Sequence, residues 1–348
     1  CLKGFCPSFV TIHGGELRKT KSDSTEEVFA DLPEPQVPEL GAHAYNVMVT
    51  GIGGTGVLTI GALMGMAAHL EGMHCRDLDM TGLAQKGGEV LSHVRLAADR
   101  EELRTGHIIS GGTDLLLACD IVSAVGKGAY ETLNPQRSRA IVNTDNTPVA
   151  DFVTNNKIDF HQEQVRKTLL DATMKGQQHF VPATHYALTL MGDEIATNIF
   201  MFGYAWQLGL VPLSIESIMR AIELNEVAIN ANKRSFNFGR LAAHDPAKIE
   251  ALAKAVTGGA EEEKIAETLH ERIERRAKYL TGYQNAAYAR RYTEMVERVN
   301  NADTAPEKRL TEAVARNYHK LLAYKDEYEV ARLYTSGDFV KNLRAQFG

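Results

Sequence analysis

The sequence predicts an α/β protein, a Rossmann-like doubly wound parallel sheet followed by an α-helical C-terminal domain. Three observations predict it. Short apolar runs of buried-strand type alternate with helical stretches through the first two thirds of the chain, the alternation that builds parallel sheets. The glycine cluster Gly51-Ile52-Gly53-Gly54-Thr55-Gly56 stands between one such run and one such helix. From Asp245 onward the apolar runs give way to charged, amphipathic helix.

A chain of 348 residues has room for two or three domains. Residues 1–15 form a short leading segment. Residues 16–43 read as an extended linker, rich in Lys, Asp, Glu, Ser and Pro and including Leu32-Pro33-Glu34-Pro35-Gln36-Val37-Pro38. The α/β domain is assigned to residues 44–232. In it, Tyr45 to Thr50 is a strand and Val57 to Leu70 a helix that stops at Gly72. Cys75 to Asp79 is the next strand, and an alternating strand ends at Arg95. Asp114 to Ala118 and Ala140 to Val142 are buried strands, separated by a helical stretch from Asp120 to Leu133 that Asn134-Pro135 ends. Residues 187–231 are mainly helical, with a break at Pro212 and a new start capped by Ser214. Residues 233–348 form the helical domain, with helices over Ala247 to Val256, Glu261 to Tyr279, Ala286 to Val299 and Pro306 to Tyr334.

Bulk properties narrow the function classes. A composition 44% hydrophobic and 24% charged is that of a folded globular protein. A net charge of -6 provides no basic field for a phosphate backbone, so nucleic acid is not an expected partner. The uncharged stretches Asn46 to Leu70 and Ile195 to Ile215 are interrupted by glycine, asparagine or proline, which fits core elements and not membrane spans. Four scattered cysteines are too few for a disulfide scaffold, implying a reducing, cytoplasmic setting in which Cys75 and Cys119 are structural. The chain opens on Cys1 without a secretory signal and is expected to be a piece of something longer.

Glycines on a strand-to-helix turn let the backbone approach a phosphate while the unpaired amides of the helix start point at it. Asp77 and Asp79 follow about 20 residues later, where a dinucleotide fold places its ribose-binding acid. On this stretch alone a nicotinamide site and a tight turn without ligand both stand. The next segment reads Met80-Thr81-Gly82-Leu83-Ala84-Gln85-Lys86-Gly87-Gly88-Glu89-Val90-Leu91-Ser92-His93-Val94-Arg95. A nicotinamide domain has no need of such a second polar glycine turn. Gln85, Lys86 and Arg95 suit a phosphate, a carboxylate or an ordinary salt bridge. No histidine shows zinc-ligand spacing, and no P-loop or nucleophile elbow is present.

The chain resembles the gamma domain of 2-oxoacid:ferredoxin oxidoreductases, which combines a GxGGxG-type loop with a Gln-Lys/Arg-Gly-Gly turn and a Ser-x-Val-Arg-like strand. The matching residues are Gly51 to Gly56, Gln85 to Gly88 and Ser92 to Arg95. The likeness continues through Gly112 to Leu117, Val142-Asn143-Thr144 and the helix from Asn198 to Gly203. The opening Cys1-Leu2-Lys3-Gly4-Phe5-Cys6-Pro7 resembles the end of the thiamine domain in fused, single-chain indolepyruvate:ferredoxin oxidoreductases. Read without the family, two cysteines at that spacing are equally ordinary thiols.

What the resemblance implies is an enzyme that oxidatively decarboxylates an arylpyruvate to an acyl-CoA and passes the electrons to ferredoxin. Thiamine diphosphate and magnesium belong upstream in the same polypeptide, since no Gly-Asp-Gly segment of the required kind occurs here; no residue of this chain is assigned a catalytic role, and the isolated chain is expected to be inactive. Cys1 and Cys6 would supply half the thiolates of a 4Fe-4S cluster. Gly51, Gly53, Gly54, Thr55, Gly56, Gln85, Lys86, Gly87, Gly88 and Arg95 form the expected cofactor-binding set, the glycine loop being a place either for the coenzyme A diphosphate or for docking against the thiamine domains. Expected partners are the upstream thiamine-binding domains, ferredoxin, the 2-oxoacid and further copies of the chain. Two other readings stand beside it: an NAD-dependent dehydrogenase using Gly51, Gly53, Gly56 and Asp77 or Asp79, and a noncatalytic scaffold domain.

Overall fold

The computed structural model describes residues 12–15, 28–81, 88–145, 162–256, 268–335 and 337–347. They fall into two compact units, one within Thr25–Gly259 and the other within Ala260–Gly348.

In the first unit, β1 (Tyr45–Ile52) runs into the glycine cluster, and α1 (Val57–Leu70) leaves it. β2 (His74–Thr81), β3 (Glu89–Ala97), β4 (Leu115–Ala118) and β5 (Arg139–Asn143) follow. Next come α2 (Gln162–Ala172), β6 (Gln178–Val181), α3 (Ala183–Met191), α4 (Ala196–Gln207), α5 (Ile215–Leu224), α6 (Ile229–His244) and α7 (Pro246–Val256). Among the described residues the strands form one sheet in the order β2-β3-β1-β4-β5-β6. β1, β4, β5 and β6 are mutually parallel, as expected, but β3 is antiparallel to both β1 and β2. The expected parallel sheet is present, and β2 and β3 add to it an antiparallel pair whose second strand inserts against β1.

Both faces of the parallel core are covered, so its strands carry unbroken apolar runs. Val47, Val49, Leu115, Leu117 and Ile141 face a layer containing α1, α4 and α6, with Phe200, Phe202, Trp206 and Phe236 at its centre. Met48, Leu116, Ala140 and Val142 face the opposite layer, where Leu169 and Ala172 of α2 pack.

Several sequence-based boundaries shift. The stretch from Asp120 to Leu133 is not one helix but a 3-10 turn at Ser123–Val125 and a single α-turn at Lys127–Tyr130. Gly126, with ψ of 145°, breaks it, and a β-carbon there would fall on the Glu89 carboxylate. The domain end expected after residue 232 lies inside α6, which packs against α4 through Gly203 and Gly239. The stretch expected to be a linker is partly packed. Val28, Phe29, Leu32 and Leu40 meet the core, Phe29 lies edge-on to Phe238 at 5.0 Å, and the buried Arg240 donates to the Leu32 and Pro33 carbonyls. Apolar residues spaced through that polar segment give it something to bury. Ser214 caps α5 as predicted, accepting from the Ser217 amide.

The second unit contains α8 (Leu269–Tyr283), α9 (Ala286–Ala302), α10 (Arg309–Leu322), α11 (Glu327–Thr335) and α12 (Asp338–Gln346). Its core gathers Leu280, Tyr292, Val296, Ala315 and Leu322. The single helix expected from Pro306 to Tyr334 is two helices, because α10 closes at Ala323 and Asp326 caps α11 by accepting from the Glu329 amide at 2.9 Å. No helix among the described residues is long and apolar enough to cross a membrane.

Candidate functional site

The direction of chain travel reverses at the carboxyl ends of β1 and β4. From β1 the chain passes through α1 to the β2-β3 side, while β5 and β6 continue on the other side of β4. Open α/β sheets bind ligands in the crevice at such a switch point, and the glycine loop opens onto it.

The loop's geometry follows from its composition. Gly54 and Gly56 have φ of +89° and +91°, left-handed values that a residue with a β-carbon adopts only at a cost. Gly51 is demanded by close approach, since a β-carbon there would lie 2.5 Å from Val57 Cγ2 and 3.3 Å from Cys119 Cβ. Gly56 is the N-cap of α1 and provides no side-chain cap, so the first amides of the helix are left for an external acceptor. The Gly53 amide donates to the Gly88 carbonyl at 2.8 Å. The structure thus joins the end of the second glycine turn to the first. Gln85, Lys86 and Gly87 lie outside the described residues, as do Cys1 and Cys6.

Arg95 is not brought to the loop. It pairs with Asn46, at the opposite end of β1. Its guanidinium donates to Asn46 Oδ1 at 2.9 Å, to the Thr105 carbonyl at 2.6 Å and to the Glu102 carbonyl at 3.3 Å. These bonds tie the β3–β4 connection to the sheet and leave the fork occupied locally. Asp77 and Asp79 are also misplaced for a nucleotide ribose. With β3 interposed, β2 is two strands from β1, roughly 10 Å. Asp77 instead accepts from Ser92 Oγ at 3.0 Å beside Gly61 of α1. That arrangement removes the acid on which the nicotinamide reading depended.

The residues that complete the crevice do not stand out in the sequence. A cleft of about 30 Å3 is lined by Ile52 and Thr55 of the loop, Cys119 and Asp120 after β4, Thr184 of α3, Glu194 before α4, and Thr197 and Asn198 within it. Asn198 Nδ2 donates to the Thr55 carbonyl at 2.7 Å and fixes α4 to the glycine loop. Asn143, at the end of β5, braces the rim: its Nδ2 donates to the Cys119 carbonyl and Thr184 Oγ1, and its Oδ1 accepts from the Ala183 and Thr184 amides. Asp120 is 3% exposed. Its Oδ1 accepts from the Val122 and Ser123 amides at 3.0 and 2.9 Å, while no described partner meets Oδ2. Burial raises its carboxyl above the ordinary value, against the lowering effect of those hydrogen bonds. A signal exists for these positions, because Asp120 and Asn143 each lie at the end of a short apolar run, where a buried parallel strand reaches the binding edge of its sheet.

The described cysteines do not suit an iron-sulfur cluster, which takes thiolates. Burial pushes the Cys75 thiol up to about 12 and pushes the buried Cys119 thiol up as well. Among the described residues no group of three or more His, Cys, Asp or Glu is placed to hold a metal ion. The loop does suit an anion: left-handed glycines, an uncapped helix start and an open face.

Fold and site together define an α/β domain with an uncapped glycine loop at its switch point. Residues 46–242 match the family described as pyruvate ferredoxin/flavodoxin oxidoreductase, and the chain belongs to that family. Residues 269–348 match a family of unknown function (DUF6537). The chain is 26% identical over 204 residues to the indolepyruvate oxidoreductase subunit IorB of Pyrococcus horikoshii, covering 58% of this chain and 96% of that protein. It is 27% identical over 197 residues to the subunit of the same name from Methanothermobacter thermautotrophicus, covering 56% and 95%. Among solved structures, the pyruvate oxidoreductase subunit PORC of Thermotoga maritima aligns with a TM-score of 0.41 and 22% identity, over 57% of this chain and 96% of that one.

Proposed function

We propose that this chain provides the gamma domain of a 2-oxoacid:ferredoxin oxidoreductase acting on indolepyruvate or a related arylpyruvate. The observation that carries the reading is the family match over residues 46–242, a span that includes the uncapped glycine loop. Named relatives in this family are subunits, which supports a domain that works against partner domains or subunits. The loop, Gly51 to Gly56 with Gly88, receives a diphosphate through the α1 amides, and coenzyme A is the ligand of that kind the reaction needs. Gln85, Lys86 and Gly87 extend the site, and Arg95 acts through the architecture of β3. In this reading Cys1 and Cys6 supply part of a 4Fe-4S cluster whose other ligands lie upstream, ferredoxin takes the electrons, and the enzyme is a cytoplasmic homo-oligomer. Thiamine diphosphate with magnesium, bound upstream in the same polypeptide, provides the electron sink for loss of carbon dioxide. This chain's own part is to bind and orient, and alone it is inactive.

An anaerobic assay of the parent enzyme with indolepyruvate and coenzyme A tests the proposal. Reduction of a low-potential viologen that requires both substrates, with no reduction of NAD, is the expected result. NAD reduction with a hydroxyacid and silence with indolepyruvate would overturn it.

A further inference from the structure

The proline-rich segment before β1 lies on the α/β unit in a regular way. Residues 32–40 form neither helix nor strand. Leu32, Pro35 and Pro38 are half-buried while the residues between them are exposed. Burial of every third residue fits a polyproline II helix laid along a surface, because that helix has three residues per turn and leaves its carbonyls without internal partners. Pro33, Pro35 and Pro38 favour this conformation before any contact is made.

The unit meets the segment with side chains suited to such a backbone. Gln207 Nε2, at the end of α4, donates to the Pro33 carbonyl at 2.7 Å. Arg240 Nη2 of α6 donates to the Leu32 and Pro33 carbonyls at 3.3 and 3.4 Å, while its guanidinium lies 5.0 Å from the centre of the Trp206 ring. Gln207 and Arg240 are joined at 2.9 Å and are 8% and 6% exposed, so losing the segment would take the acceptors from two buried donor groups. Gly209, with φ of +68°, makes room for the chain, since a β-carbon there would lie 2.5 Å from the Gln36 carbonyl oxygen. Lys248 Nζ of α7 reaches the Val28 carbonyl at 3.3 Å, and Phe29 packs edge-on to Phe238. Aromatic-lined grooves are how proline-rich peptides are commonly held.

The geometry points to a peptide-docking groove on α4, α6 and α7 whose ligand is this chain's own segment 28–40, held by recognition of its proline-bearing face and not by its covalent continuity with β1. The segment lies outside residues 46–242, which match the family, whereas Gln207, Gly209 and Arg240 lie inside that span. The groove is independent of whatever the glycine loop binds.

Together, Leu32→Asp and Pro35→Asp in the full chain place two carboxylates on the docked face of the segment and vacate the groove. A fluorescent peptide of residues 28–41 is then titrated with this variant and with the wild-type chain, and binding is followed by anisotropy. The expected result is one-to-one binding to the variant with a Kd of about 10 µM, and binding to the wild-type chain weaker by about 100-fold, because there the tethered segment competes at an effective concentration of about 1 mM. A peptide carrying the same two substitutions should not bind the variant. Absence of binding to the variant would overturn the proposal, and so would equal binding to both chains, which would place the peptide elsewhere. A variant whose far-UV circular dichroism shows it unfolded, with or without peptide, would overturn it too, since the segment would then be part of the core and not a docked ligand.

Discussion

Replacing Gly239 with alanine should destabilise the α/β unit, although helix propensity alone predicts the reverse. Gly239 sits in the interior of α6 and Gly203 in α4. Exchanging an interior helical glycine for alanine ordinarily gains about 1 kcal/mol. Here a β-carbon on Gly239 would collide with the Phe200 carbonyl oxygen and lie 2.8 Å from the Tyr204 nitrogen; one on Gly203 would collide with the Phe236 carbonyl. The obstructing atoms are backbone, so the helices must separate by roughly 1 Å to restore ordinary contacts. Separation loosens Phe200, Phe202, Trp206 and Phe236, each at most 1% exposed. Overpacking of this kind costs about 1–3 kcal/mol, and a backbone obstacle places Gly239→Ala at the upper end. For a unit of this size that lowers Tm by roughly 5–10 °C. Urea and thermal unfolding of the full chain, followed by far-UV circular dichroism, measure it. The double variant with Gly203→Ala should cost less than the sum of the singles, because the first β-carbon already spreads the pair. An unchanged or raised Tm for Gly239→Ala would refute the close approach. The same separation draws Asn198 away from Thr55, so ligand affinity should fall in parallel.

Two further outcomes follow from the same geometry. Asn143→Ala should cost about 2–4 kcal/mol by urea unfolding, since it strands the Cys119 carbonyl and the Ala183 and Thr184 amides in a buried setting; a loss under about 1 kcal/mol would mean the rim does not depend on it. In the second unit, the amide and hydroxyl of Thr311 donate to Asp303 and hold its carboxyl below the usual carboxylate value. A depressed folded value means the stabilisation is fully present above the unfolded value of about 4 and is lost as pH falls through the folded one. Asp303→Asn should therefore flatten the acid limb of stability against pH below about 4, and an unaltered limb would sink that assignment.

Much of this molecule is legible in its amino-acid sequence. The unbroken apolar runs at β1, β4 and β5 announce strands buried on both faces, because only a covered parallel sheet tolerates them. Val57 to Leu70 is bounded as a helix by glycines at both ends, and Ser214 marks the start of α5. The glycine cluster identifies its strand-to-helix turn, since no other composition adopts those left-handed angles without strain. These features are local, and the residues concerned carry the cause within a few positions of the effect.

Long-range partners decide the rest. Strand order is not written in a strand's own pattern, so only the tertiary structure reveals that β3 inserts between β1 and β2, which removes Asp77 and Asp79 from a nucleotide's reach. Arg95 has the chemistry of a ligand-binding fork, but its donors are spent on Asn46, Glu102 and Thr105. Thr55, Asp120 and Asn198 span 143 positions of sequence and meet only because four parallel strands end at one edge and α4 folds back over it. Glycine conformation and apolar periodicity are properties of short segments, whereas a binding cleft at a switch point is a property of how segments are ordered in space, and that order is set by the packing of the whole sheet.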